Sequence, residues 1–389
     1  MTTPIEGFCA PGFEGVRDAF AAAFASGGEV GAAVAAVVGG EPVVDLWAGH
    51  ADQARTRPWT RDTLVNVYST TKGMTAICAH HLVERGKLDL DAPVARVWPE
   101  FAAADKGDVP LRWLLSHRAG LPAVRTLLPR EALYDWDAMT NALAAETPWW
   151  TPGERHGYHA LTFGWLVGEV VRRASGKSVG RYFRDEIAGP LGADFHIGLA
   201  DAEHDRVAEM SAIPLPEPGA EAPALAEVFM RDPMGMAALA FMNPPSMADG
   251  VNHAAWRRAE IPGANGHATA RAIARIYAAI ASGAAGRAPL LSKESIERCR
   301  EEQSRGMDAV LQISTRFGGG FMRSQADVPG GSLGPGAGAF GHPGAGGSLG
   351  FADPEAGVGF GYAMNRMGPH ILLDPRATAL VDALYDALG

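Results

Sequence analysis

The segments of this 389-residue chain that read most clearly as strands lie near its two ends. Near the start, VGAAVAAVVGGEPVVDLWAG (30–49) carries two Val-rich apolar runs around Gly39-Gly40-Glu41-Pro42, which predicts a β-hairpin. Near the other end, GVGFGYAMNRM (357–367) predicts a strand, and so does VLQISTRFGGGFM (310–322). Helices flank both groups. Phe13, Val16, Phe20 and Phe24 recur at helical spacing. Asp374 is an N-cap followed by Pro375 at the first helical position, and Leu380, Val381, Leu384 and Leu388 then share a face. Between about Met74 and Ile280 the chain is helix- and loop-rich and holds a Pro-rich loop, IPLPEPGAEAP (213–223). This arrangement predicts an α/β fold. A central antiparallel sheet flanked by helices would be built from 1–75 and 255–389, with 76–254 inserted as a mostly helical domain. A cleft would lie between the two parts.

Composition narrows the function classes. At 47% hydrophobic and 20% charged the chain can bury a sizeable core. A net charge of -10 argues against nucleic acid or an anionic membrane as partner. No run approaches the roughly 18 apolar residues of a membrane-spanning helix. MTTPIEGFCAPGFEG has neither the basic nor the apolar part of a signal peptide. Cys9, Cys78 and Cys299 are far apart, with no metal-type spacing and no disulfide framework, which predicts a reduced, cytoplasmic setting.

Two serines invite a catalytic reading. GGSLG (346–350) fits G-x-S-x-G, the nucleophile elbow, which needs a strand before the serine and a helix after it. Here the turn cluster Asp353-Pro354-Glu355-Ala356-Gly357 and then a strand follow, and His370 precedes Asp374, against the required order of triad partners. This context argues against Ser348 as the nucleophile. The second candidate is YSTTKGM, in which Ser69 and Lys72 form S-x-x-K. A strand-like run, Leu64 to Val67, precedes it. Met74, Ile77, Cys78, His81 and Leu82 follow at helical spacing, and Gly86 stops the helix. A capping serine and a solvated lysine would show the same spacing. Lysine usage favours chemistry: of 34 Lys+Arg only five are lysine, at 72, 87, 106, 177 and 293. Arginine cannot give up its proton, whereas an amine can act as a base when burial lowers its pKa. A helix N-terminus also supplies N–H groups for an oxyanion.

Other candidates are weaker. His80 and His81 cannot share a helix face, so they form no metal pair; one is expected in the core and the other exposed. His117, His156 and His159 are expected to buttress loops. Asn365-Arg366 follow the last strand and either reach the cleft or cap a turn.

Two further stretches complete a pattern. TPGERHGYHALTFGWLVGEV places Tyr158 before an apolar helix, and FGHPGAGGSLGF contains His342-Pro343-Gly344. With YSTTKGM, LRWLLSHRAGL and GKLDLDAPV, the chain resembles the serine β-lactamase and penicillin-binding protein superfamily, most of all the class C-like branch with the family VIII carboxylesterases. The resemblance spans roughly 30–388. It implies that Ser69 is the acylated nucleophile, that Lys72 assists its deprotonation, and that Tyr158 is a general base, as a phenolate or sharing its proton with Lys72. It also implies that HPGAGG stands where the family has K-T-G-S-T-G, with the N–H groups of Ser69 and Ala345 forming the oxyanion hole. His342 and Gly344 would then border the substrate, and Trp149, Trp150 and Phe340 either line its pocket or serve plain packing. Two departures matter. Ala160 replaces the asparagine of Y-x-N, and His342 replaces the lysine of K-T-G. Both residues serve β-lactam recognition, so the resemblance implies a carboxylesterase for small esters, with slow β-lactam hydrolysis as a side activity and no metal or organic cofactor. A β-lactamase or D-alanyl-D-alanine peptidase, an acyltransferase, and a non-catalytic binding protein are the alternatives on the same scaffold.

Overall fold

The structure, a computed structural model, describes residues 3–212, 224–245, 250–282, 290–328, 331–370 and 372–389; the Pro-rich loop at 213–223 lies outside them. Three strands come first: β1 (Ile5–Cys9), β2 (Gly31–Val38) and β3 (Glu41–Gly49). Three two-residue strands, β4 (Val65–Asn66), β5 (Phe195–His196) and β6 (His267–Ala268), make a small sheet of order β4-β6-β5. Then come β7 (Ser304–Met307), β8 (Ser314–Phe317), β9 (Met322–Arg323), β10 (Phe340–Pro343), β11 (Leu349–Asp353) and β12 (Val358–Met364). The main sheet runs β1-β3-β2-β12-β11-β10-β9-β8-β7, and every pairing in it is antiparallel. The two ends of the chain meet where β12 pairs β2, from Val358↔Val38 to Met364↔Ala32.

The segment 310–322 is not the single strand its composition predicts. Gly318 to Gly320 break it into the β8–β9 hairpin, closed by the Gly318 N–H donating to the Phe321 carbonyl at 2.8 Å. A glycine run favours a turn over a paired strand. The period-two logic holds in β12. Gly359 and Gly361 face the helix Ala270–Ala281, and an added Cβ at either would collide with that helix's backbone. Phe360 and Tyr362 face the other side, where the Tyr362 hydroxyl meets the buried Glu29 carboxylate. The helices Glu14–Ala25 (α1) and Pro375–Leu388 pack on each other. Asp374 caps the latter as predicted, accepting from the Arg376 N–H at 3.0 Å.

The helix Thr70–Glu84 (α2) sets the position of the site. It packs against β10 and against the helix Thr162–Ser175 (α3). It is buried on every face from Thr70 to Leu82, although it carries a lysine, three threonines and two histidines. A helix wrapped on all sides has no solvated stripe, so each polar side chain needs an internal partner. That overturns the expectation of one exposed histidine. His80 Nε2 lies 2.7 Å from the Gly319 carbonyl oxygen, and His81 Nδ1 lies 2.9 Å from the Tyr182 hydroxyl.

Fully buried histidines make the fold acid-sensitive. Burial holds His80 down to about 4 and His159, His267 and His342 to about 3, and pushes His117 well below its ordinary value. These side chains are neutral in the folded state, while in the unfolded chain they take up protons below about pH 6.5. The unfolded state binds more protons there, so stability present at neutral pH is lost as pH falls from about 6.5 toward the folded-state values, at about 1.4 kcal/mol per pH unit for each such histidine. Urea unfolding at pH 7.5 and pH 5.5 is expected to show a steep fall in midpoint. An unchanged midpoint would contradict the burial of these neutral rings.

Candidate active site

The site forms where α2 begins. Tyr68 precedes it with φ 43°, a conformation that costs a non-glycine residue energy and that recurs at functional sites. Ser69 occupies the N-cap position of α2, yet its side chain makes no capping hydrogen bond. Its Oγ instead lies 3.0 Å from Lys72 Nζ, one helical turn along. Ser69 is partly exposed, whereas Lys72 is fully buried and Tyr158 is 2% exposed, so a substrate meets the hydroxyl first.

The environment of Lys72 determines what it can do. Its Nζ lies 2.7 Å from the Ala160 carbonyl oxygen, 2.7 Å from the Gly263 carbonyl oxygen and 4.8 Å from the centre of the Tyr158 ring, with no carboxylate partner among the described residues. Burial pushes its pKa well below the ordinary value. A neutral amine has two N–H bonds and one lone pair. The two carbonyls take the two N–H bonds and leave the lone pair facing the Ser69 hydroxyl. Lys106 provides the contrast. It is also fully buried, but its Nζ donates to three carbonyls, those of Ala103, Ala144 and Glu146. Three carbonyl acceptors require three N–H bonds, so that site suits an ammonium with no lone pair to spare.

Tyr158 sits in the loop before α3, and its backbone N–H donates to the buried Asp308 Oδ1 at 3.0 Å. Burial pushes its pKa up, outweighing a lowering interaction with the Ser69 side chain, which keeps it a neutral phenol. Its ring is flanked by Phe317, stacked at 6.2 Å, and by His117 at 5.0 Å. The His342 ring lies 6.0 Å away. His342 Nδ1 donates to the Pro343 carbonyl at 2.7 Å, which leaves Nε2 as an acceptor, buried and without a partner among the described residues. Burial holds the ring neutral.

Ala345 lies in the turn joining β10 to β11, not in a strand. Among the described residues neither its N–H nor that of Ser69 meets a hydrogen-bond acceptor, so both are free to receive an oxyanion. Gly344 has a packing reason to be glycine: an added Cβ would collide with Ser348 Oγ and the Val67 carbonyl. Trp149 joins the apolar cluster around Tyr158, with its Nε1 donating to the Ala123 carbonyl at 2.8 Å. Trp150 packs edge-on against His159, with ring centres 6.1 Å apart. Phe340 does not join them. It is fully buried in the main core, edge-on to Phe321 at 5.1 Å. Asn365 is spent on structure, accepting from the Gly31 N–H and donating to the His50 carbonyl. A cavity of about 660 Å³ is lined by Pro343 and by Leu225, Leu311 and Met322, which also pack in the Tyr158 cluster; Ser69, Lys72 and Tyr158 themselves do not line it. Among the described residues no group of three His, Cys, Asp or Glu side chains is arranged to hold a metal, and no helix is long and apolar enough to cross a membrane.

Sequence reading missed the Ala160 and Gly263 carbonyls, which have no side-chain signature. It also missed Asp308, an isolated acid in a loop. With only five lysines, Lys72 is accessible to carbon NMR of the lysine Cε signals. One signal is expected to titrate well below the ordinary lysine value of about 10.4 and to vanish in Lys72→Met. Titration of all five near that value would contradict the neutral amine.

The beta-lactamase family model matches residues 16–384. The chain is 38% identical over 373 residues to the esterase/beta-lactamase LipL of Mycobacterium tuberculosis, covering 94% of this chain and 84% of that protein. It superimposes on the crystal structure of a family VIII carboxylesterase with TM-score 0.90 and 44% identity, over 99% of this chain and 100% of the other. A penicillin-binding protein homologue from Caulobacter crescentus matches with TM-score 0.89 and 42% identity over the same shares. A family match across nearly the whole chain, joined to a serine and a buried lysine at the head of α2, means that the chain belongs to the beta-lactamase family.

Proposed function

We propose that the protein is a serine carboxylesterase that hydrolyses short-chain carboxylic esters through an acyl-enzyme on Ser69. The observation that carries this reading is the Lys72 amine, held by two carbonyls with its lone pair toward Ser69 Oγ. In the proposed sequence Lys72 Nζ takes the Ser69 proton as Oγ attacks the ester carbonyl carbon. The carbonyl oxygen, now negative, accepts from the Ser69 and Ala345 N–H groups. Collapse breaks the bond to the alcohol oxygen, which leaves with the proton returned from Lys72 through the Tyr158 hydroxyl. Burial keeps Tyr158 a phenol, which favours this shared-proton role over a resting phenolate. Water then attacks the acyl-enzyme by the same route, with His342 Nε2 offering it a hydrogen-bond acceptor. The apolar cavity beside Pro343 suits the hydrocarbon part of the ester.

Two observations favour esters over β-lactams. His342 is neutral and fully buried, so it offers no cation to a β-lactam carboxylate, and Ala160 contributes only its carbonyl, already engaged by Lys72. The 44% identical carboxylesterase supports the same choice. The residues 76–254 are proposed as an inserted helical unit closing one side of the cleft. Three free cysteines fit a reducing, cytoplasmic compartment. Hydrolysis of p-nitrophenyl butyrate is expected to exceed that of a chromogenic cephalosporin, and Ser69→Ala is expected to lower kcat by about 10⁴-fold or more. Faster cephalosporin turnover, or an active Ser69→Ala enzyme, would overturn the proposal.

A further inference from the structure

The G-x-S-x-G serine is buried, and the proposed reaction leaves it without a role. Ser348 is 1% exposed, and its Oγ donates to the Val67 carbonyl at 2.8 Å. Its single proton is spent there, so the Thr70 hydroxyl, 3.0 Å away, donates to it in turn. Val67 and Thr70 bracket Ser69, and Val67 O also accepts from the Thr70 N–H at 3.1 Å. Ser348 therefore bonds the β10–β11 turn directly to the segment that carries the nucleophile. The opposite side of the turn is held as firmly. Arg376 Nη2 donates to the Gly346 carbonyl at 2.6 Å, and the Gly368 N–H reaches the same oxygen at 2.9 Å. The Gly346 N–H donates to the His370 carbonyl at 2.9 Å. Arg376 is itself fixed by Asp374, by the Gly28 carbonyl and by the buried Glu29 carboxylate at 3.2 Å. Ala345, between the two attachments, is left with a free N–H.

We infer that Ser348 and Arg376 are positioning residues that clamp the turn 344–348 from opposite sides, so that the Ala345 and Ser69 N–H groups converge on one substrate oxygen. The inference rests on the oxyanion hole proposed above. Ser348 sets the separation of the two donors, because it touches both the turn and the Ser69 segment. Arg376 keeps the Gly346 peptide, and with it the orientation of the preceding N–H, from rotating away. Neither side chain touches the substrate. Loss of either would displace a donor by a fraction of an ångström, which weakens a bond to a developing charge far more than it weakens ground-state binding.

The test compares an ester with its thionoester, in which a weakly accepting C=S replaces C=O, on the intact enzyme and on Ser348→Ala and Arg376→Lys. The intact enzyme is expected to prefer the ester by about 100-fold in kcat/KM. Both variants are expected to lose about 10- to 100-fold in kcat on the ester with KM within about twofold, and to lose at least about tenfold of that preference. A strong preference in the intact enzyme that Ser348→Ala and Arg376→Lys both retain would overturn the clamp and leave the oxyanion hole standing. Little preference in the intact enzyme would remove the hole itself, and the clamp with it. If Ser348→Ala fails to fold, Thr70→Val removes the hydroxyl that donates to Ser348, and the same loss of preference is expected; an unchanged preference there counts against the clamp.

Discussion

An amine with no counter-ion among the described residues is buried at the head of α2, and the catalytic proposal depends on it. Taking an ammonium out of water without a carboxylate partner costs several kcal/mol, which the side chain avoids by giving up its proton. Two carbonyls, Ala160 O from the loop before α3 and Gly263 O from the segment before β6, absorb the two N–H bonds of the neutral form. The remaining lone pair has the Ser69 hydroxyl as its neighbour. Lys106 is also buried, but its amine faces three carbonyls and no hydroxyl, so the two buried lysines differ in the acceptors around them.

The fold supplies those acceptors from distant parts of the chain. α2 is enclosed between β10 and α3, so Lys72 has no path to solvent. Tyr158 is fixed through its backbone by Asp308 and through its ring by Phe317 and His117. The strands from the two termini join at β2–β12 and bring the β10–β11 turn to the start of α2, where Ser348 bonds to Val67 and Thr70. A neutral His342 completes the surroundings without adding a charge that would compete with Lys72 for the proton.

The sheet was legible from the Val-rich hairpin near the start and the alternating strand near the end, because pairing across termini is what such segments can do. Ser69 and Lys72 stood out through spacing and lysine scarcity, and a helix does begin after Ser69. What was not legible depended on tertiary enclosure. The helical spacing of Met74, Ile77 and Leu82 gave no sign that the opposite face of α2 is buried too, so one of His80 and His81 was expected in water. Phe340 lies two residues from His342 in the sequence, but it packs in the main core against Phe321, a tertiary contact with no local signal. Gly318 to Gly320 split an apparent strand because backbone freedom outweighed apolar content. The bonds of Ser348 to Val67 and Thr70 join residues 278 to 281 positions apart, beyond any local pattern.

The central claim is that a neutral Lys72 activates Ser69, and the most direct measurement is the pH dependence of inactivation by a fluorophosphonate, with the modified peptide mapped by mass spectrometry. The account predicts a label on Ser69 alone and a rate that rises with pH along a single ionisation, complete well below the ordinary lysine value of about 10.4. A label on Ser348, or a rate that begins to rise only near that value, would contradict it.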